Sequence, residues 1–85
     1  KQGDVEYGLS EVQEAALLGA VDKLLVSDLL IQEMRDKDDY DKLDKIMKEV
    51  DNSKGEIFII SGEHEGGQKL YSLGGVAAFL RFRIR

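Results

Sequence analysis

The stretch 64-HEGGQKLYSLGGVAAFLRFRI-84 changes its hydrophobic period in the middle. Leu70 and Leu73 are spaced to lie on one face of a short helix over roughly 64–73. Gly74-Gly75 ends it, and Val76 to Ile84 then reads as a strand. Alternation along that strand puts Leu80, Phe82 and Ile84 on one face and Phe79, Arg81, Arg83 and Arg85 on the other. A helix passing through a tight turn into a strand is the unit of layered α/β folds.

The rest of the chain alternates helical and extended patterns in the same way, without an internal sequence repeat. Glu56-Ile57-Phe58-Ile59-Ile60 is a β-rich run, predicted as a central strand, and Asn52 to Gly55 is the turn before it. From Asp39 to Asp51 the spacing of Tyr40, Leu43, Ile46, Met47 and Val50 is helical. On the wet face, Asp41/Lys45 and Asp44/Lys48 are acid-before-base pairs worth about 0.3 kcal/mol each. Lys23-Leu24-Leu25-Val26-Ser27, bounded by Asp22 and Asp28, reads as a buried strand. Residues 29–38 begin apolar and turn charged, and their pattern fits no single state. Ser10-Glu11-Val12-Gln13 fits a capping box with Ser10 as N-cap. Val12, Ala15, Ala16 and Leu18 follow as a stripe of mostly small residues, with Gly19 as the stop. Residues 1–8 are polar with two glycines and read as an arm. The expected order is helix, strand, helix, strand, helix, strand.

Eighty-five residues form one small domain, 1–85, with no room for a second core. The absence of cysteine excludes disulfides and thiolate metal sites. No apolar run approaches the roughly 20 residues of a membrane span, so no membrane partner is expected. The chain opens on Lys1 rather than Met, as a piece of a longer protein would. Its formal charge of −5 is uneven: residues 1–65 carry 8 Lys/Arg against 17 Asp/Glu, whereas residues 66–85 carry four bases and no acid. So acidic a body repels phosphate backbones, and the short basic end suits an acidic protein surface better than free RNA.

Side chains capable of chemistry are few. His64 has no second histidine with which to share a metal, and between Glu63 and Glu65 it reads as a cap or a solvated turn. An EF-hand loop started at Asp36 would place Tyr40, Asp41 and Met47 at its fifth, sixth and twelfth positions, and all three fail. Gly74-Gly75 precedes a strand, the reverse of a phosphate loop. Gly66-Gly67-Gln68 sits in the opening turns of a helix anchored by Leu70, where glycines either allow close packing against a neighbour or leave the turn frayed. No catalytic, metal or cofactor site is predicted. The alternation of Phe79, Arg81 and Arg83 on the last strand reads as an interface or as a solvated outer face.

Two blocks carry a family resemblance. Tyr7-Gly8-Leu9 with Gly19-Ala20-Val21-Asp22-Lys23-Leu24-Leu25-Val26-Ser27-Asp28, and the closing Gly74-Gly75-Val76-Ala77-Ala78-Phe79-Leu80-Arg81-Phe82, resemble the third domain of the Pelota/class-1 release-factor family. The compact middle, with Ser61-Gly62-Glu63-His64-Glu65-Gly66-Gly67, is more similar to the archaeal Pelota branch than to terminating release factors. The resemblance implies a three-layer α/β/α sandwich with a small mixed sheet, similar to kink-turn-binding ribosomal proteins. It also implies an additional helix upstream of Tyr7, and N-terminal and central domains beyond this chain. In release factors the catalytic Gly-Gly-Gln belongs to the middle domain, so the copy at 66–68 is coincidental and the domain is not an enzyme.

The function implied is docking within a cytoplasmic ribosome-rescue factor that recognises stalled ribosomes, acts in no-go mRNA surveillance and supports subunit recycling. The partners implied are an elongation-factor-like GTPase, an ABC-type recycling ATPase, and the ribosome through the full-length protein. By position in the family's closing run, the partner-binding residues are Phe79, Leu80, Arg81, Phe82 and Arg83. One alternative is the C-terminal domain of a class-1 termination factor. Another is kink-turn RNA binding through Gly8, Ser10 and Glu11, against which Glu14 stands where the RNA-binding proteins carry Lys.

Overall fold

The computed structural model describes residues 4–82. In order the elements are β1 (Val5–Tyr7), α1 (Leu9–Leu17), β2 (Val21–Ser27), α2 (Asp28–Asp36), α3 (Tyr40–Asn52), β3 (Glu56–Ile60), α4 (Glu65–Ser72) and β4 (Val76–Leu80). The strands form one mixed sheet in the order β1-β4-β2-β3. β4 runs antiparallel to both β1 and β2, and β2 runs parallel to β3 through α2 and α3. This is the α/β class expected from the alternating pattern.

Period-2 geometry divides the sheet's side chains between two faces. Leu24, Val26, Val76 and Ala78 point to one side and form a continuous core with Val12, Ala15 and Ala16 of α1, Leu30 and Met34 of α2, and Leu43, Ile46 and Val50 of α3. Ala77 and Leu70 are also buried but lie outside that core, which places α4 against the opposite face. Small residues on α1 and β4 let helix and sheet approach closely. α1 ends as predicted at Gly19, whose φ of 68° closes a Schellman turn: its N–H bonds the Ala16 carbonyl and the Ala20 N–H bonds that of Ala15.

Several local expectations are corrected. Residues 5–7 of the expected arm form a strand, held because β4 needs a partner on its far side: Val5 pairs with Phe79 and Tyr7 with Ala77. Gly8, at φ 90°, is the N-cap of α1, and Ser10 lies inside the helix rather than capping it. Residues 29–38 are largely helical, and the overlooked signal is Ser27, whose buried hydroxyl accepts the Leu29 N–H at 3.1 Å. β3 is an edge strand, not a central one, and β4 takes the centre. Leu18 and Leu73, expected to point inward, are exposed. The last strand ends at Leu80 and bends at Arg81 and Phe82, and the rest of its predicted span, residues 83 and 84, lies outside the described ones.

Candidate docking surface

The closing run of the chain is built in from both sides. The Ser27 N–H bonds the Gly75 carbonyl, the Gly8 N–H bonds that of Val76, and the Leu80 N–H bonds that of Asp4. Val76, Ala77 and Ala78 are buried. The candidate residues then part company. Leu80 packs against the main core, as its parity predicts. Phe79 points to the opposite face and is 40% exposed, and Phe82 follows the strand in a bend at 49% exposed. Arg83 lies outside the described residues.

Arg81 turns back on the domain. Its backbone N–H donates to the Ala20 carbonyl and its guanidinium Nη2 to the Val21 carbonyl, both at 2.8 Å. It thereby ties the end of β4 to the start of β2, where the register slips between Val21 and Lys23. This role is structural, and the side chain is still exposed enough to meet a partner.

Phe79 belongs to a larger apolar surface. By register, Val5, Tyr7, Leu25, Phe58 and Ala77 share its face. α4 covers only part of it, leaving Tyr7 49% and Phe58 41% exposed. At its border Lys23 meets Asp22 at 3.1 Å and Glu56 at 4.0 Å. Aromatic side chains left exposed on a sheet face offer apolar surface that a partner can cover. Among the described residues no group of three or more metal-binding side chains converges anywhere.

The residues named for the RNA reading lie together at the start of α1. The Gly8 carbonyl accepts the Val12 N–H at 3.0 Å, and Ser10 and Glu11 are exposed, with exposed Glu14 one turn on. The Gly-Gly-Gln tripeptide is part of α4. A Cβ on Gly67 would lie 1.8 Å from the Ser61 carbonyl oxygen, whereas one on Gly66 would meet nothing within 4 Å. Gln68 Nε2 donates to the Gly62 carbonyl at 3.1 Å, so its amide is engaged with its own loop.

Sequence reasoning missed one polar cluster. Tyr71 of α4 donates its hydroxyl to Glu33 of α2, and Lys37 bonds the other carboxylate oxygen at 3.0 Å. The Tyr71 hydrogen bond, then Lys37, lowers the pKa of Glu33, and Glu33 in turn raises that of the Tyr71 phenol. The pair lies 38 residues apart, so no local pattern signals it.

A mixed sheet with exposed aromatic side chains on the face opposite its main core is the frame of an α/β domain suited to contacts with other macromolecules. The comparisons with known proteins narrow that class. The model of eRF1 domain 3 matches residues 1–84, and the chain belongs to that family. A pelota homolog of Thermococcus onnurineus is 54% identical over 84 residues, which cover 98% of this chain and 22% of that protein. A structure of ribosome-bound archaeal Pelota and ABCE1 is 48% identical and covers 100% of this chain and 23% of that one, at a TM-score of 0.86. Dom34 of S. cerevisiae, a translation termination-like factor involved in RNA quality control pathways and interacting with Hbs1, is 28% identical, covering 96% of this chain and 23% of its own, at a TM-score of 0.87. The chain thus spans less than a quarter of the length of these relatives.

Proposed function

We propose that this domain is a protein-docking module of a ribosome-rescue factor, acting in the cytoplasm as one part of a longer protein. Its partners are an elongation-factor-like GTPase and an ABC-type recycling ATPase. The observation that supports the reading is the exposure of Phe79 on the sheet face opposite the main core, and of Phe82 in the bend that follows, at the closing run that the family resemblance associates with partner binding. Phe79, Phe82, Leu80, Arg81 and Arg83 are the contact residues proposed. The relatives described with ABCE1 and Hbs1 support the choice of partner classes. The domain carries out no chemistry in this scheme: Gly67 is packed into a turn and Gln68 is engaged by Gly62, neither of which suits a catalytic tip. The chain spans less than a quarter of its relatives' length, so the full-length protein is the right test material.

The test is calorimetric titration of the cognate GTPase into the full-length protein and into Phe79→Ala and Phe82→Ala variants. Loss of affinity by about tenfold or more in either variant, with unchanged melting, supports docking at the closing run. Wild-type affinity in both variants refutes it. Arg81→Glu is a poor probe alone, because it also removes the tie to Val21.

A further inference from the structure

β3 has one paired and one unpaired edge. Its inner edge runs in unbroken parallel register with β2, from Lys23↔Glu56 to Ser27↔Ile60. Among the described residues no strand pairs with its outer edge, and no turn or loop backbone bonds to it. Proteins usually guard such an edge with Lys, Pro, a bulge or an inward-pointing charge, since its free N–H and C=O groups will accept any extended chain. β3 reads Glu-Ile-Phe-Ile-Ile, with one charge at its first position and none of those guards. Ile59 is 53% exposed, and Phe58 is exposed on the other face. α3 flanks the strand on one face without covering Ile59.

We propose that the outer edge of β3 is a strand-pairing surface whose occupant is β3 of a second copy, joined antiparallel about a two-fold axis at Phe58. The sequence is complementary to itself in that register. Phe58 faces Phe58, Ile57 faces Ile59 and Glu56 faces Ile60, the aromatic and β-branched pairs that stabilise antiparallel ladders. The two Glu56 side chains stand at opposite ends of the pairing, about 14 Å apart at strand rise, beyond the roughly 8 Å over which charge acts at physiological salt. A parallel in-register pairing would set them side by side. The two-fold arrangement uses the same edge of both copies and therefore closes at a dimer instead of growing into a fibre. The opposite edge of the sheet, β1, is only three residues long. This inference rests on the edge; Phe58 at its axis also lies on the docking face described above, whereas Ile59 lies on the other.

Five-residue strands make a small interface, so the dimer is weak, with Kd on the order of 100 µM. Sedimentation of the 85-residue chain from about 10 µM to about 1 mM is expected to show mass rising from monomer to dimer. Ile59→Lys, which places a guard on the exposed edge, is expected to weaken it at least about tenfold, as is Phe58→Lys on the other face. Leu18→Lys, an equally apolar-to-charged change at an exposed site on α1, is expected to leave it intact. Circular dichroism melting at the lowest concentration checks that each variant is folded. A chain that stays monomeric throughout, a dimer indifferent to the folded edge variants, or one weakened equally by Leu18→Lys overturns the proposal.

Discussion

The adjacent glycines of α4 are predicted to respond to alanine in opposite directions. At Gly66 a Cβ projects into open space, so alanine keeps its helical advantage over glycine of about 0.8–1 kcal/mol, reduced somewhat in a first turn. At Gly67 the same atom would lie 1.8 Å from the Ser61 oxygen, 2.5 Å from its carbonyl carbon and 3.1 Å from the Gly62 nitrogen. All three are backbone atoms, so relief requires α4 and the 61–62 turn to separate by more than 1 Å. That turn is held by the Gly62 N–H to Asp28 at 2.8 Å, and relief strains this bond too. Overpacking of this severity costs up to about 3 kcal/mol, which the propensity gain of about 1 kcal/mol only partly offsets. A net loss of about 2 kcal/mol corresponds to a melting temperature roughly 8–16 °C lower in a domain of this size. Thermal and urea unfolding of both single variants is the assay. A neutral or stabilised Gly67→Ala variant would refute the packing account of the tripeptide and restore the case for a free loop.

Three further outcomes are expected. Leu43→Ala, at a fully buried core position, should cost about 2–5 kcal/mol in urea unfolding, while Leu18→Ala should stay within about 0.5 kcal/mol. Arg81→Ala should lose about 1 kcal/mol through the Val21 carbonyl bond and increase hydrogen exchange at the start of β2. For the Glu33–Tyr71 pair the signs are opposite at the two ends of the pH scale. The depressed carboxyl contributes stability that is lost as pH falls through its folded pKa, and the raised phenol contributes stability that is lost as pH rises through its own, above about 10. The stability difference between wild type and Tyr71→Phe should therefore be flat from about pH 5 to pH 9 and shrink beyond both ends; a difference that titrates near pH 7 would contradict the assignment.

How far the sequence could be read depended on whether the deciding interaction was local. α3, α4 and the two inner strands were legible because spacing and glycine stops act over a few residues. Gly8 carried no such signal: its capping role follows from the path between β1 and α1, and Ser10 offered a plausible but unused motif. β1 was hidden because three polar-flanked residues become a strand only when β4, some 70 residues later, supplies the partner. α2 was obscured by three successive apolar residues, of which Leu30 is buried and Leu29 exposed. The apolar run of β3 suggested a centre, yet its exposure at Phe58 and Ile59 shows that hydrophobic content alone does not report position in a sheet. At the candidate site, alternation correctly separated Phe79 from Leu80. It could not show that Arg81 turns back onto Val21, since that contact spans 60 residues.

The central place of β4 has a consequence for synthesis. β1 is made before any other element of the sheet and β4 after all of them, yet they are neighbours, and β2 also waits for β4. Until residue 80 is available, the emerging chain holds the four helices and a single parallel strand pair whose β2 edge is unpaired. Pairing β1 with β4 closes a loop of nearly the whole described domain, and non-local closures of this kind slow folding. A ribosome halted before Val76 would thus carry an unfinished sheet with two strands lacking their shared neighbour.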